Sequence, residues 1–302
     1  MPQFSGVYVA AVTPHRREGH EADFAAMLEL VDFLSRSGVQ GIALLGSTGE
    51  FVHIKAADRS RLVHLAVKRS RVPIIANVSH STLDGALELA SDAINSGVEG
   101  MLLMPPFFFR YEQEDIFEFY RAFANAVGTR VPVLLYNIPQ FTNKIELDTA
   151  ARLFALGRFA GIKDSSGDVE YFTRLLQLPQ RGDLAVLVGN DTVFTRLRPA
   201  GADGVISGVA CAVPELLVAL DQALRENRTE QIAALQTRLQ EFIAWIDRFP
   251  TPVGVKVATA VRGFKVGPVA MPLSKEKTAL LEEFKAWFKA WLPVVQKASA
   301  HA

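Results

Sequence analysis

One cysteine, no excess of either charge and no apolar run long enough to cross a bilayer set the first limits on this 302-residue chain. A lone Cys211 excludes an internal disulfide framework and fits a reducing compartment. Set between Ala210 and Ala212, it reads as a small buried apolar residue or, alternatively, as a nucleophile. Lys+Arg and Asp+Glu are both 32, so the formal net charge is zero and no bulk field draws the chain to nucleic acid or to an anionic membrane. The N-terminus lacks a basic segment followed by a long apolar stretch, so no signal peptide is expected. The longest apolar runs are short and broken, as at Pro105-Pro106. The expected location is the cytoplasm. The histidines (His15, His20, His53, His64, His80 and His301) are scattered without ligand spacing, so no metal site is expected. No glycine-rich phosphate fingerprint follows the first candidate strand, where Thr13-Pro14-His15 stands instead.

What remains is an ordinary globular composition, 49% hydrophobic and 21% charged, long enough for one barrel-sized domain or two smaller ones. Short β-branched or apolar runs recur at residues 7–12, 41–45, 73–78, 100–104, 131–136, 161–163, 185–188 and 204–207. Stretches with helical periodicity separate them; Phe24, Met27, Leu28, Val31 and Leu34 mark the first. A helix-to-strand junction repeats as Ser37-Gly38-Val39-Gln40-Gly41, Ser96-Gly97-Val98-Glu99-Gly100 and Ala200-Gly201-Ala202-Asp203-Gly204. In each, the first glycine would cap a helix and the second would open a buried strand. Strands alternating with helices imply a parallel sheet, because each crossover needs a helix to return the chain. The number of units predicts a (β/α)₈ TIM barrel, with an open doubly wound sheet as the alternative. After about residue 214 the strands cease. Ile232, Leu235, Leu239, Phe242, Ile243 and Ile246 mark one amphipathic helix, and Leu280, Leu281, Phe284, Phe288 and Trp291 another, with Pro250 and Pro252 between them. The expected division is a barrel over residues 1–228 and a C-terminal helical extension over residues 229–302.

Lys163 ends the apolar strand Phe159-Ala160-Gly161-Ile162 and precedes a loop, Asp164-Ser165-Ser166-Gly167. The C-terminal ends of barrel strands are where active sites lie. Desolvation in such a mouth disfavours an ammonium and leaves neutral amine, which attacks ketones to form an iminium. Position alone is equally compatible with a salt bridge to Asp164 or another carboxylate. Tyr136 ends the preceding strand, so its phenol can shuttle protons beside Lys163 or simply cap the barrel through a backbone hydrogen bond. Gly46-Ser47-Thr48-Gly49-Glu50 follows the second strand; converging N–H groups and hydroxyls there suit a small carboxylate, though an ordinary turn has the same composition. Gly189-Asn190-Asp191 and Ile206-Ser207-Gly208 add polar groups to the same rim.

Together these segments resemble the dihydrodipicolinate synthase / N-acetylneuraminate lyase family of class I aldolases. The likeness rests on Gly46-Ser47-Thr48-Gly49-Glu50, Tyr136-Asn137-Ile138-Pro139 and Gly161-Ile162-Lys163-Asp164, in order and in register, and spans about residues 6–273. It implies a Schiff base to pyruvate on Lys163, Tyr136 as proton shuttle, and Ser47 and Thr48 on the pyruvate carboxylate. The Ile206 carbonyl would line the same pocket, with Asp191 and Ser207 as further substrate contacts. It also implies a carbon–carbon or carbon–oxygen lyase that acts on a 2-keto acid and an aldehyde. Such an enzyme uses neither metal nor organic cofactor and assembles as a homotetramer, a dimer of dimers.

The chain departs from the pattern in three places. Dihydrodipicolinate synthases carry an arginine, gripping the second substrate's carboxylate, where this chain has Phe141; a phenyl ring makes no such bidentate bond. Neuraminate lyases place an acidic pair after strand seven, and here Asp191 is followed by Thr192. Many relatives offer a neighbouring subunit's tyrosine where this chain has Phe108, within Met104-Pro105-Pro106-Phe107-Phe108-Phe109-Arg110. The aromatic run suits a subunit contact. The expectation is an aldolase for a 2-keto-3-deoxy sugar acid or a 4-hydroxy-2-oxo acid. The alternatives are 4-hydroxy-tetrahydrodipicolinate synthase, N-acetylneuraminate lyase, or a barrel that binds a keto acid without turnover.

Overall fold

The structure is a computed structural model that describes residues 3–16 and 21–300; His20 and His301 lie outside the described residues. Parallel strands follow one another around a closed barrel in chain order. They are β1 Gly6–Ala10, β2 Gly41–Leu44, β3 Ile74–Asn77, β4 Gly100–Leu103, β5 Val133–Asn137, β6 Gly161–Asp164, β7 Ala185–Val188 and β8 Gly204–Ser207. β1 pairs with β2 on one side and with β8 on the other, which excludes the open sheet. Every strand residue is buried. That explains their unalternating apolar sequences: helices cover the outer face while the inner face packs on itself.

The repeated junctions behave as their glycines require. The Leu83–Ser96 helix closes on Gly97 at φ 84°, whose N–H returns to the Ala93 and Ile94 carbonyls. Gly38 and Gly201, at φ 79° and 114°, lie in the same positive region, where a side chain would be strained.

The barrel is followed by helices at Pro214–Arg225, Thr229–Ile246, Val253–Val261 and Lys275–Ala300. The first and last of the expected amphipathic segments are present, and a further helix, Val253–Val261, follows directly after the proline pair where only a break is expected. Its Val253-Gly254-Val255-Lys256-Val257 run alternates like a strand and has weak helix propensity, so packing decides its state. Aromatic rings knit these helices together. Phe242 stacks on Trp291 at 5.7 Å, and the Trp291 indole donates to Glu241 at 2.7 Å. The Val253–Val261 helix packs against the Val209–Ala212 turn of helix that follows β8, which brings the C-terminal segment over the mouth of the barrel.

Candidate active site

β5 and β6 run in register with Tyr136 beside Lys163 and Asn137 beside Asp164. Residues paired in this way on neighbouring strands present their side chains to the same face. The Lys163 amine lies over the Tyr136 ring, 4.2 Å from its centroid, in a residue only 3% exposed. The Tyr136 hydroxyl meets a side chain rather than the backbone: it is 3.0 Å from Ser47 Oγ, in the turn after β2.

Asp164 is adjacent to Lys163 in sequence but faces the other way. The Asn137 amide donates to its Oδ1 at 2.7 Å and the Ser166 hydroxyl to its Oδ2 at 2.8 Å. Burial pushes its carboxyl up, and these donors oppose the shift. Among the described residues no carboxylate lies within ion-pair distance of the Lys163 amine. The salt-bridge reading of Lys163 is therefore set aside. The amine is left facing a cavity of about 380 Å³ that also touches Ser47, Thr48, Asp191 and Ile206.

The remaining rim residues divide. Thr48 is buried against Gly208 and lines the cavity. Ile206 is fully buried with one edge on the cavity. Ser207 stands behind the wall: its Oγ accepts the Ala210 N–H at 3.0 Å, in the first turn of the Val209–Ala212 helix. Asp191, in a short 3₁₀ turn after β7, has a buried Oδ1 without a hydrogen-bond partner. Burial pushes its carboxyl up to about 6 against the Ser207 hydroxyl, the Val209 N–H and the Lys163 charge, while Asp247 adds to the rise.

Other residues also reach this site, Ser165 from the loop directly after Lys163 and the rest without a motif in the sequence. Ser165, 8% exposed, lines the cavity, and its buried hydroxyl has no partner. Gln140, Asp247 and Thr251 also line it, the last two from the C-terminal segment. Helix ends and loops gather them, and nothing local in the sequence marks that they share a wall. Phe141 is 59% exposed and stands between this cavity and a second, apolar one of about 340 Å³ lined by Phe51, Phe107 and Met104.

Cys211 is buried, accepting from the Val12 N–H at 3.5 Å, and burial pushes its thiol up to about 11. That is the environment of an inert thiol, not of a nucleophile. Among the described residues no cluster of three or more His, Cys, Asp or Glu side chains is placed to hold a metal ion. No described helix is long and apolar enough to cross a membrane.

A buried amine and a hydroxyl-bearing turn on one cavity at the strand ends of a barrel, with a phenol behind them meeting Ser47, are the parts of a lyase that holds a carbonyl substrate covalently. The chain belongs to the dihydrodipicolinate synthetase family, which matches residues 3–291. The family comprises pyruvate-dependent lyases that work through a lysine imine with no separate cofactor. Among its relatives is an uncharacterized DapA-like lyase of Halobacterium salinarum, 34% identical over 240 residues, which covers 78% of each chain. A 4-hydroxy-tetrahydrodipicolinate synthase of Alkaliphilus oremlandii is 30% identical over 289 residues, 93% of this chain and 98% of that one. Among solved structures, the chloride-inhibited dihydrodipicolinate synthase from Acinetobacter baumannii, complexed with pyruvate, superposes with a TM-score of 0.85. It is 27% identical and covers 94% of this chain and 98% of its own.

Proposed function

We propose that this chain is a cytoplasmic aldolase that binds the pyruvoyl end of a hydroxylated 2-keto acid as an imine on Lys163 and cleaves or forms the bond between the first and second carbons beyond the imine carbon. The carrying observation is the Lys163 amine: buried, free of any ion-pair partner among the described residues, and lying over the ring of a tyrosine whose hydroxyl meets Ser47.

In the cleavage direction the neutral amine adds to the C2 ketone and water leaves, giving an iminium. Tyr136, with Ser47 as its relay, removes the proton of the C4 hydroxyl. The C3–C4 bond breaks, its electron pair moves into the iminium, and an aldehyde departs. Protonation of the enamine at C3 and hydrolysis of the imine release pyruvate and regenerate the amine. Ser47 and Thr48 hold the substrate carboxylate, and the Ile206 carbonyl borders the same pocket. Asp191 and Ser165 face the departing aldehyde, and Ser207 serves by steadying Asp191. The Acinetobacter relative's complex with pyruvate supports a pyruvoyl substrate.

The substrate class follows from the far wall. The charged side chains of the cavity besides Lys163 are Asp191 and Asp247, both carboxylates, and Gln140 and Thr251 add neutral polar groups. Such a wall suits aldehyde hydroxyls and repels a second carboxylate. A 2-keto-3-deoxy sugar acid, or another 4-hydroxy-2-oxo acid with a neutral tail, fits best. A second reading, 4-hydroxy-tetrahydrodipicolinate synthase, is favoured by the name of the Alkaliphilus relative and opposed by Phe141.

We also propose a homotetramer built as a dimer of dimers. Phe108 and Phe109, 88% and 64% exposed, form an edge-to-face pair beside the apolar cavity, and large exposed rings of this kind favour a subunit contact. Borohydride reduction with pyruvate should leave a pyruvyl adduct on the Lys163 peptide, and a panel of 2-keto-3-deoxy acids should release pyruvate. An unmodified Lys163 peptide refutes the imine. Adduct formation without release from any acid would instead support a barrel that binds without turnover.

A further inference from the structure

Glu50 closes the Ser47–Thr48 turn in a left-handed backbone conformation, φ 52°, which a glutamate does not adopt without cause. Its carboxylate is turned inward and buried, and the Lys256 ammonium donates to Oε2 at 2.6 Å. Lys256 comes from the Val253–Val261 helix and is 1% exposed. The same ammonium reaches His15 Nδ1 at 2.7 Å; an ammonium only donates, so that nitrogen accepts. Burial pushes the Lys256 amine down, and the Glu50 carboxylate opposes this.

This contact joins the turn after β2, the loop after β1 and the C-terminal helices. Two further bonds reinforce the junction: the Thr13 hydroxyl donates to the Gly49 carbonyl at 2.6 Å, and the His15 N–H to the Val266 carbonyl at 3.0 Å. Within the turn, the Glu50 N–H closes on the Ser47 carbonyl at 3.1 Å. Leu45, at the other end, also has a positive φ, 61°. The segment that presents Ser47 and Thr48 thus begins and ends on strained residues, and such strain persists only where the surroundings over-determine it.

We propose that Lys256 and Glu50 are a buried positioning pair that sets the keto-acid grip of Ser47 and Thr48, making the C-terminal helical segment a working part of the active site. The inference rests on the assignment of that turn to the substrate carboxylate. A pair that only held the fold together would lower stability when broken without changing how tightly the site takes up pyruvate.

The test uses the full-length chain and its Lys256→Met, Glu50→Gln and Lys256→Arg variants. For each, the pyruvate concentration giving half-maximal borohydride trapping at Lys163 is read by mass, alongside the melting temperature. Lys256→Met should raise the half-saturating concentration tenfold or more while trapping at saturation stays within twofold of wild type. Glu50→Gln, which keeps an acceptor but loses the charge, should raise it about threefold, and Lys256→Arg should recover part of the loss. A folded Lys256→Met whose half-saturation stays within twofold of wild type overturns the proposal and leaves the pair a structural role only, whatever its melting temperature. If Lys256→Met fails to fold, Glu50→Gln decides by the same comparison: unchanged half-saturation refutes the pair. An untrapped wild type sinks the Lys163 assignment and this inference with it, a result distinct from trapping that is indifferent to Lys256.

Discussion

Gly189 lies against Lys163: a Cβ on its backbone would stand 2.9 Å from Lys163 Cε and 2.1 Å from Ser165 Oγ. No φ constraint demands glycine there. The missing side chain is what leaves the amine its place at the end of β6.

Gly189→Ala should therefore shift the lysine and the neighbouring hydroxyl while leaving the barrel folded. A displacement of about 1 Å at a reacting group costs on the order of 100-fold in rate. Pyruvate release should fall by about that factor with an unchanged circular dichroism spectrum. Wild-type turnover in the alanine variant would show that this close approach does not position the amine.

Desolvation of its carboxyl, whose Oδ1 is shut off from solvent, pushes Asp191 up to about 6 from the ordinary 3.8. Between those limits the folded chain holds more protons than the unfolded one, so this group's contribution to stability falls as pH rises from about 4 to about 6 and then levels off. Asp191→Asn removes that dependence. Relative to wild type the variant should gain on the order of 1–3 kcal/mol between pH 4 and pH 7. Parallel denaturant midpoints across that range, wild type against variant, would show that Asp191 ionises as freely folded as unfolded.

Phe141 stands on the edge of the Lys163 cavity, and at 59% exposure it can be exchanged without opening the core. Phe141→Arg should improve kcat/KM for a carboxylate-bearing aldehyde by about 10- to 100-fold, the range of one charge-assisted pair. The same change should leave pyruvate trapping at Lys163 unaltered. No gain with any carboxylate-bearing aldehyde would mean that the acidic wall of Asp191 and Asp247, not this position, sets the exclusion.

Phe108 carries a large apolar ring almost fully into solvent at a backbone φ of 85°. If the ring packs on another copy, Phe108→Asp should halve the particle mass or reduce it further in sedimentation at micromolar concentration. Its melting temperature should lose the concentration dependence that coupled subunit association gives the wild type. A mass equal to wild type would remove the aromatic run from the interface.

Much of the candidate site could be read from local pattern. Lys163, Tyr136 and the Ser47-Thr48 turn each sit at the end of an apolar strand, and strand ends in this fold open on one face. The Ser207 hydroxyl is different: its place in the chain suggests the rim, but the start of the Val209–Ala212 helix supplies an N–H that needs an acceptor, and Ser207 takes that task. Ser165, Asp247 and Thr251 have no pattern at all. Ser165 is carried there by the loop directly after β6, whereas Asp247 and Thr251 come from the far end of the chain, and only the packing of the C-terminal helices over the barrel mouth brings them to Lys163.

By itself the sequence determined the alternation of strand and helix and the closing glycines of the junctions, because each depends on neighbours a few residues apart, and its three motifs together pointed to Lys163 as the candidate amine. Tertiary structure alone decided that Asp164 turns from Lys163 toward Asn137 and Ser166, that the Val253–Val261 segment is a helix, and that Lys256 reaches Glu50. Those outcomes depend on which groups are left without water or partner once the barrel has closed, and that competition is settled between segments far apart along the chain, 206 residues for Lys256 and Glu50.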